Sequence, residues 1–463
     1  MKKIMVSVAV ALVAISSFAQ IKGQEMEPYR RSSLNMIMLE DPRMDPSIIG
    51  MVRESFIANP IPFKYNDHTV DPALKVVSID DVVITPEDYE ESRAILTPKK
   101  KKKGDTEGKT KLAGGLTQLA GGLLGIEMGP SDPKYSVDNI HIDTTKRWLP
   151  HVAYKYLKAN NMAKLMVDKW FGVETGNINV DLIRERAFFN ATEMEKMAAE
   201  EEGDRSAIDA IMDNGGHEIV GNSFVTVSRF RYMTGDQIAA EIVSGAAVGA
   251  QFMPRDLADA TMSTAELAAL AATVSVGKGY AVYTDTYLFR LVWDDEIFAK
   301  INAASADLSV YNSLDCFKLE YIGVESAYAN ITAGKRSTEE AVQYAMTRSM
   351  DKVLAKLEKE YEVFRTKTPL LTVDPVMTAN IGTKECVEKG DKYEVLEKVM
   401  KVDKKTGKTE VDYKKIGTIT VDTVGNNMGE DNDDENASAD LFTTFKGKAP
   451  KNAVPGTLIR FTK

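Results

Sequence analysis

Residues 385–425, ECVEKGDKYEVLEKVMKVDKKTGKTEVDYKKIGTITVDTVG, decide the class of the fold. Apolar and polar residues alternate, the alternation breaks at DKKTGK, and it then resumes. A period of two places one apolar face on each arm. The pattern predicts a β-hairpin with Lys405, Thr406 and Gly407 at its turn. GTLIRFTK, residues 456–463, closes the chain as a further strand. Together these predict a small antiparallel β-barrel or sandwich over 371–463.

Upstream the period changes. Ser337 and Glu340 form a capping-box pair. Val342, Met346, Met350, Val353, Leu357, Tyr361 and Phe364 follow at helical steps, so a helix is expected to run until just before Thr366–Pro369. HEIVGNSFVTVSRFRY (217–232) and GYAVYTDTYLFRLVW (279–293) read as paired strands. The alanine-rich segments 239–252 and 264–277 lie between them and predict short inserted helices. LDCFKLEYIGVESAYAN (314–330) reads as another strand pair. Near the start, Leu34–Leu39 predicts a buried strand. A helix follows, with Asp45 as N-cap and Pro46 in its first turn. WLPHVAYKYLKANNMAKLMVDKWFG (148–172) is helical in spacing throughout. A second helical pattern covers 176–198, with Thr192 and Glu195 as a capping box where it restarts.

The expected class is therefore α+β. An α/β core domain with an alanine-rich helical insertion precedes the small β-domain. Residues 20–97 supply the strand-helix part of the core and 135–370 the rest. Residues 98–134 hold five consecutive lysines and a repeated LAGGL, and they read as a solvated linker or insertion.

Residues 1–19 have the three parts of a secretory signal peptide: Lys2 and Lys3, an apolar run from Ile4 to Ile15, and Ser17-Phe18-Ala19 before the expected cleavage. The expected location is exported, periplasmic or outer-membrane- or surface-associated. No later stretch is long and apolar enough for a membrane-spanning helix. The formal net charge of -10 argues against a nucleic-acid partner.

Signals for chemistry are few. His68, His141, His151 and His217 have no metal-type spacing and read as surface or supporting residues. Nucleophile elbow, phosphate-binding loop and dinucleotide fingerprint are all missing from the sequence. Cys316 falls in a strand pattern, and with Cys386 it reads as a free buried thiol as readily as half of a disulfide. Asp294, Asp295 and Glu296 read as a solvated strand end, although a carboxylate pair could work there. A calcium loop starting at Asp431 would need glycine and a bidentate acid where the chain has Asn436 and Phe442. Arg30 and Arg31 could clamp a phosphate or carboxylate, or anchor the first strand to an acidic helix, and the anchor is the favoured reading. No catalytic, cofactor-binding or metal residue is assigned, and no cofactor is expected.

YRRSSLNMIMLED, IPFKYNDH, KWFGVETGNINVDLIRERAFFNATE, EIVGNSFV, TYLFRLVWD and GDKYEVLE, in that order, resemble a Bacteroidetes family of secreted proteins of unknown function. That resemblance implies export but no activity. The helix from 337 followed by KGDKYEVLE and KKIGTITV is more loosely similar to the flagellar assembly protein FlgT and to CsgG-like envelope proteins. It implies an α/β domain followed by a small β-domain. The combined expectation is a non-enzymatic envelope protein that binds or scaffolds, with a protein partner in the envelope or by self-association. A carboxylate-dependent hydrolase of envelope polysaccharide or peptide is the alternative, as is a membrane-surface or adhesion protein.

Overall fold

A computed structural model describes residues 31–42, 44–62, 64–96, 148–173, 176–183, 186, 216–234, 280–331, 336–402, 409–426 and 442–462. The expected signal peptide, lysine-rich linker, Thr192 capping box, alanine-rich insertion, hairpin turn and Asp431 loop lie outside them.

The chain is α+β. Strand β1 (Ser33–Glu40) is buried along its whole length. Its neighbours explain this: it pairs in parallel with β2 (Asn66–Asp67), β3 (Val76–Ser78) and β4 (Ser223–Met233). Antiparallel β5 (Tyr280–Leu291) and β6 (Leu319–Ile331) complete the sheet, whose order is β2-β1-β4-β5-β6 with β3 also on β1. The paired strands expected at 223–233 and 280–291 are thus adjacent and antiparallel.

The sheet is covered on both faces, as its continuous apolar runs require. In β1, β4 and β5, even-numbered residues such as Leu34, Met36, Phe224, Phe230 and Leu288 face one layer. Odd-numbered residues such as Ile37, Val225, Val227 and Phe289 face the other. The even face is covered by α1 (Pro46–Ala58) and the last helix of the core. The odd face is covered by α2 (Pro86–Leu96), α3 (Leu149–Ala159), α4 (Met162–Phe171), α5 (Asp295–Ala304) and α6 (Leu308–Asn312). In α1, Asp45 accepts from the Ser47 amide and Pro46 opens the first turn, while Ile48, Val52 and Phe56 face inward.

Three expectations need correction. The run 148–172 is two helices, because Asn161 adopts φ 49°, a left-handed conformation that interrupts the ladder. Residues 314–330 give one strand rather than a pair. Its register shifts opposite Leu288 and Phe289, so the extra residue reverses which parity faces which layer. Leu319 and Tyr321 face the odd layer, whereas Ala327 and Ala329 face the even layer. Cys316 precedes the strand and is not part of it.

Helix α7 (Thr338–Glu360) has both hydrogen bonds of the Ser337/Glu340 box. It stops at Glu360, earlier than its apolar pattern suggested, and Phe364 lies in a short 3-10 turn. Beyond it the chain enters a closed sheet of six strands: β7 (Thr368–Thr372), β8 (Met377–Ala379), β9 (Lys392–Val402), β10 (Thr409–Thr423), β11 (Thr443–Lys446) and β12 (Leu458–Phe461). Their order around the barrel is β10-β11-β8-β7-β12-β9. Every pairing in it is antiparallel. Val395, Ile419, Val421, Phe445 and Ile459 fill its interior.

Candidate functional site: a cationic cleft between sheet and barrel

The register of the sheet brings three chain ends together. Ser33 stands opposite Ser223, and Phe224 stands opposite Arg290. The entry to β1, the entry to β4 and the exit of β5 therefore share one end of the sheet. The C-terminal end of α7 reaches the same place and delivers segment 361–367. Strand β12 of the barrel closes the far side. Between them lies a cleft of about 260 Å³.

Its charged lining is one-sided. Arg31, Arg290, Arg365, Lys367 and Arg460 line it against a single carboxylate, Glu362, with Ser32, Asn222 and Val363 completing the wall. Fixed contacts hold most of these cations. The Arg290 Nε donates to the Gly221 carbonyl at 2.6 Å. The Arg365 guanidinium donates to the carbonyls of Glu358 and Lys359, both at 3.0 Å. It thereby caps the α7 carbonyls that lack helical partners. The Arg460 Nε donates to Glu394 at 2.6 Å, and its Nη1 lies 3.3 Å from Glu362.

Lys367 is the most constrained. Its ammonium donates to Glu218 at 3.0 Å and lies 4.2 Å from the Tyr413 ring centre. The Tyr413 hydroxyl lies 2.6 and 2.8 Å from the two oxygens of the same carboxylate. Glu218 thus joins a helical turn of the core (216–221) to β10 of the barrel. Burial pulls the Lys367 ammonium down from its usual range; Glu218 opposes that, and Arg31 and Arg460 add repulsion. Burial alone would raise the Glu218 carboxyl, but Lys367, Arg31 and the Tyr413 hydroxyl hold it below the usual value. Each group is the other's partner, and that pairing favours the charged form of both.

Arg31 is different. Its Nη1 is buried and has no hydrogen-bond partner. A buried guanidinium donor left unpaired costs about 1–3 kcal/mol, and such atoms are rare. The arginine pair at 30–31 was expected to anchor β1 to an acidic helix. Arg31 does sit within electrostatic reach of Glu218, and the residue also lines the cleft. Arg30 lies outside the described residues.

The other sequence candidates fall elsewhere. Asp294 caps α5 by accepting from the Ile297 amide, and Asp295 and Glu296 fill the first turn of that helix. They mark a helix start, not a strand end. His68 and His151 are core residues rather than surface ones, at 3% and 8% exposure. The His68 Nε2 donates to the Met166 carbonyl at 2.8 Å, and burial lowers its pKa to about 3. The His151 Nδ1 lies 2.6 Å from the Ser92 hydroxyl, and burial lowers its pKa to about 4. This serine and histidine do not form a nucleophile and base. The hydroxyl is buried and lies against the carbonyls of Asp88 and Tyr89. His217 accepts at Nδ1 from the Trp293 indole, and His141 lies outside the described residues. Cys316 and Cys386 are both free thiols. Asp41 and Asp285, two buried carboxylates, both contact the buried Arg229 guanidinium.

A second space, of about 30 Å³, lies under the same linker beside Lys64, Glu358 and Tyr393. It has room for a water molecule or two. Among the described residues no helix is long and apolar enough to cross a membrane, and no His, Cys, Asp and Glu group could hold a metal ion.

The cleft offers fixed positive charge and hydrogen-bond donors, the requirements for holding an oxyanion. Its described lining has one carboxylate where a paired acid and base would need two. No signal in the sequence linked residues 31, 290, 367 and 460, because only the sheet register and the barrel bring them together. No protein-family model matches the chain, and no curated protein is significantly similar to it.

Proposed function

We propose that the protein is an exported, non-enzymatic component of the cell envelope that acts by binding an anionic group in the cleft between its core and its barrel. One observation carries this: five cations from separate parts of the chain converge on one cavity with a single lining carboxylate. Export rests on the residues of the first 19 positions and on the resemblance to secreted proteins. The partner is an envelope molecule, or a second protein, that presents negative charge. In this reading the chain from 20 to the end of α7 forms the core with its insertions, the strands from β7 (Thr368–Thr372) onward form the barrel domain rather than starting at 371, and segment 361–367 between them forms one wall of the site.

The test is retention of purified protein on isolated envelopes across a salt series, comparing wild type with Val363→Glu. Val363 lines the cleft at 44% exposure, so the substitution adds charge without removing an internal contact. Retention should be salt-sensitive and clearly weaker in the variant. Equal retention of both proteins at every salt concentration would place the binding surface elsewhere.

A further inference from the structure

We infer that the group entering the cleft is a phosphate, carried as a phosphomonoester. This rests on the binding reading above and narrows it to one ligand chemistry.

Direction is the first argument. Arg31 comes from before β1, Arg290 from the end of β5, Arg365 and Lys367 from the linker, and Arg460 from β12. Donors therefore approach from several sides. A carboxylate is planar and is best satisfied by one fork in its own plane. A phosphate presents three acceptor oxygens in a tetrahedral array and can take donors from all of these segments.

Charge is the second. The lining cations are backed by Glu218, Glu320 and Glu394, each within 4 Å of one of them. Five lining cations thus stand with four carboxylates, Glu362 included, which leaves the site positive. A phosphomonoester, at about -1.5 to -2 at neutral pH, meets that charge more fully than a singly charged carboxylate.

The third argument is Arg31 itself, which lines the cleft and whose buried Nη1 has no hydrogen-bond partner within the chain. Size is the fourth. At about 260 Å³ the cleft is smaller than the roughly 300–1,000 Å³ typical for a whole small ligand. It suits a head group. The rest of the molecule would leave past Glu362 and Val363, which are 67% and 44% exposed.

The experiment is calorimetric titration of the whole protein at pH 7.5 and fixed ionic strength. The probes are inorganic phosphate, glucose 6-phosphate, malonate, and phosphatidylcholine vesicles with and without phosphatidic acid. Malonate matches the charge of phosphate but not its shape. Phosphate should bind more tightly than malonate, and Arg31→Gln and Val363→Glu should each weaken it about tenfold or more. Tighter binding of glucose 6-phosphate than of free phosphate would support the inference with a phosphorylated glycan as source. Tighter binding of phosphatidic acid vesicles would support it with a lipid head group as source. Malonate binding as tightly as phosphate, and weakened by the same variants, would overturn the phosphate assignment and leave anion binding intact. Binding that neither variant changes, or no binding of any probe, would overturn both.

Discussion

Gly323 in β6 gives the sharpest test of how the linker wall of the cleft is held. A Cβ built there would lie 2.2 Å from the Tyr361 Oη and 2.3 Å from its Cζ. The ring crosses the glycine so that its hydroxyl can accept from the Val324 amide at 3.1 Å and reach the Val324 carbonyl at 3.2 Å. Tyr361 is the C-cap of α7 and begins the segment bearing Glu362, Arg365 and Lys367. Gly323→Ala would push the ring off. Overpacking costs about 1–3 kcal/mol. Loss of the hydroxyl bonds adds about 0.5–1.5 kcal/mol. The stiffer unfolded chain returns about 0.4–1 kcal/mol. The net expectation is a loss of about 2 kcal/mol. All three tryptophans, Trp148, Trp170 and Trp293, belong to the core, so their fluorescence in a urea titration reports the core and not the barrel. The same substitution in a Tyr361→Ala background should cost almost nothing, because the clash is gone. A cost for Gly323→Ala below about 0.5 kcal/mol, or one unchanged in the Tyr361→Ala background, would refute the contact as the cause.

Three further outcomes are expected. His68 and His151 have folded pKa values, about 3 and about 4, below the unfolded 6.5. Their contribution is complete above pH 6.5 and declines as pH falls, because only the unfolded chain then takes up protons. Each adds a slope of up to about 1.4 kcal/mol per pH unit. Urea unfolding between pH 7 and 5 should show this slope, and His68→Gln should flatten it. Arg229→Met leaves Asp41 and Asp285 buried without their cation and should cost about 3–5 kcal/mol in the same assay; a cost below 1 kcal/mol would mean that other donors already neutralise them. Ser337→Ala removes the α7 cap, and a loss of about 1 kcal/mol is expected, with hydrogen exchange rising first at the amides of 338–341.

What the sequence made legible was local. The Ser337/Glu340 box, the Asp45-Pro46 helix start and the alternation in β9 and β10 are each written within a few residues, and the structure contains all of them. Interruptions were harder to read. Asn160 and Asn161 look like ordinary exposed helix positions until the second takes a positive φ. The bulge in β6 reverses parity, so a single strand imitates two. Helices α5 and α6 are short, and their starts are marked by single aspartate caps, Asp294 and Asp307, the first of which reads as a strand end in sequence. The cleft was legible only at Arg31. An arginine that lines a cavity and one that meets solvent look alike in sequence, and which is which depends on strands hundreds of residues apart.

The claim that the cleft is an anion site is tested most directly by soaking crystals of the protein in tungstate, a heavy tetrahedral oxyanion, and recording anomalous diffraction. The account predicts a peak in the cleft, between Arg31 and Lys367. Well-occupied peaks elsewhere on the molecule, with none in the cleft, would contradict it.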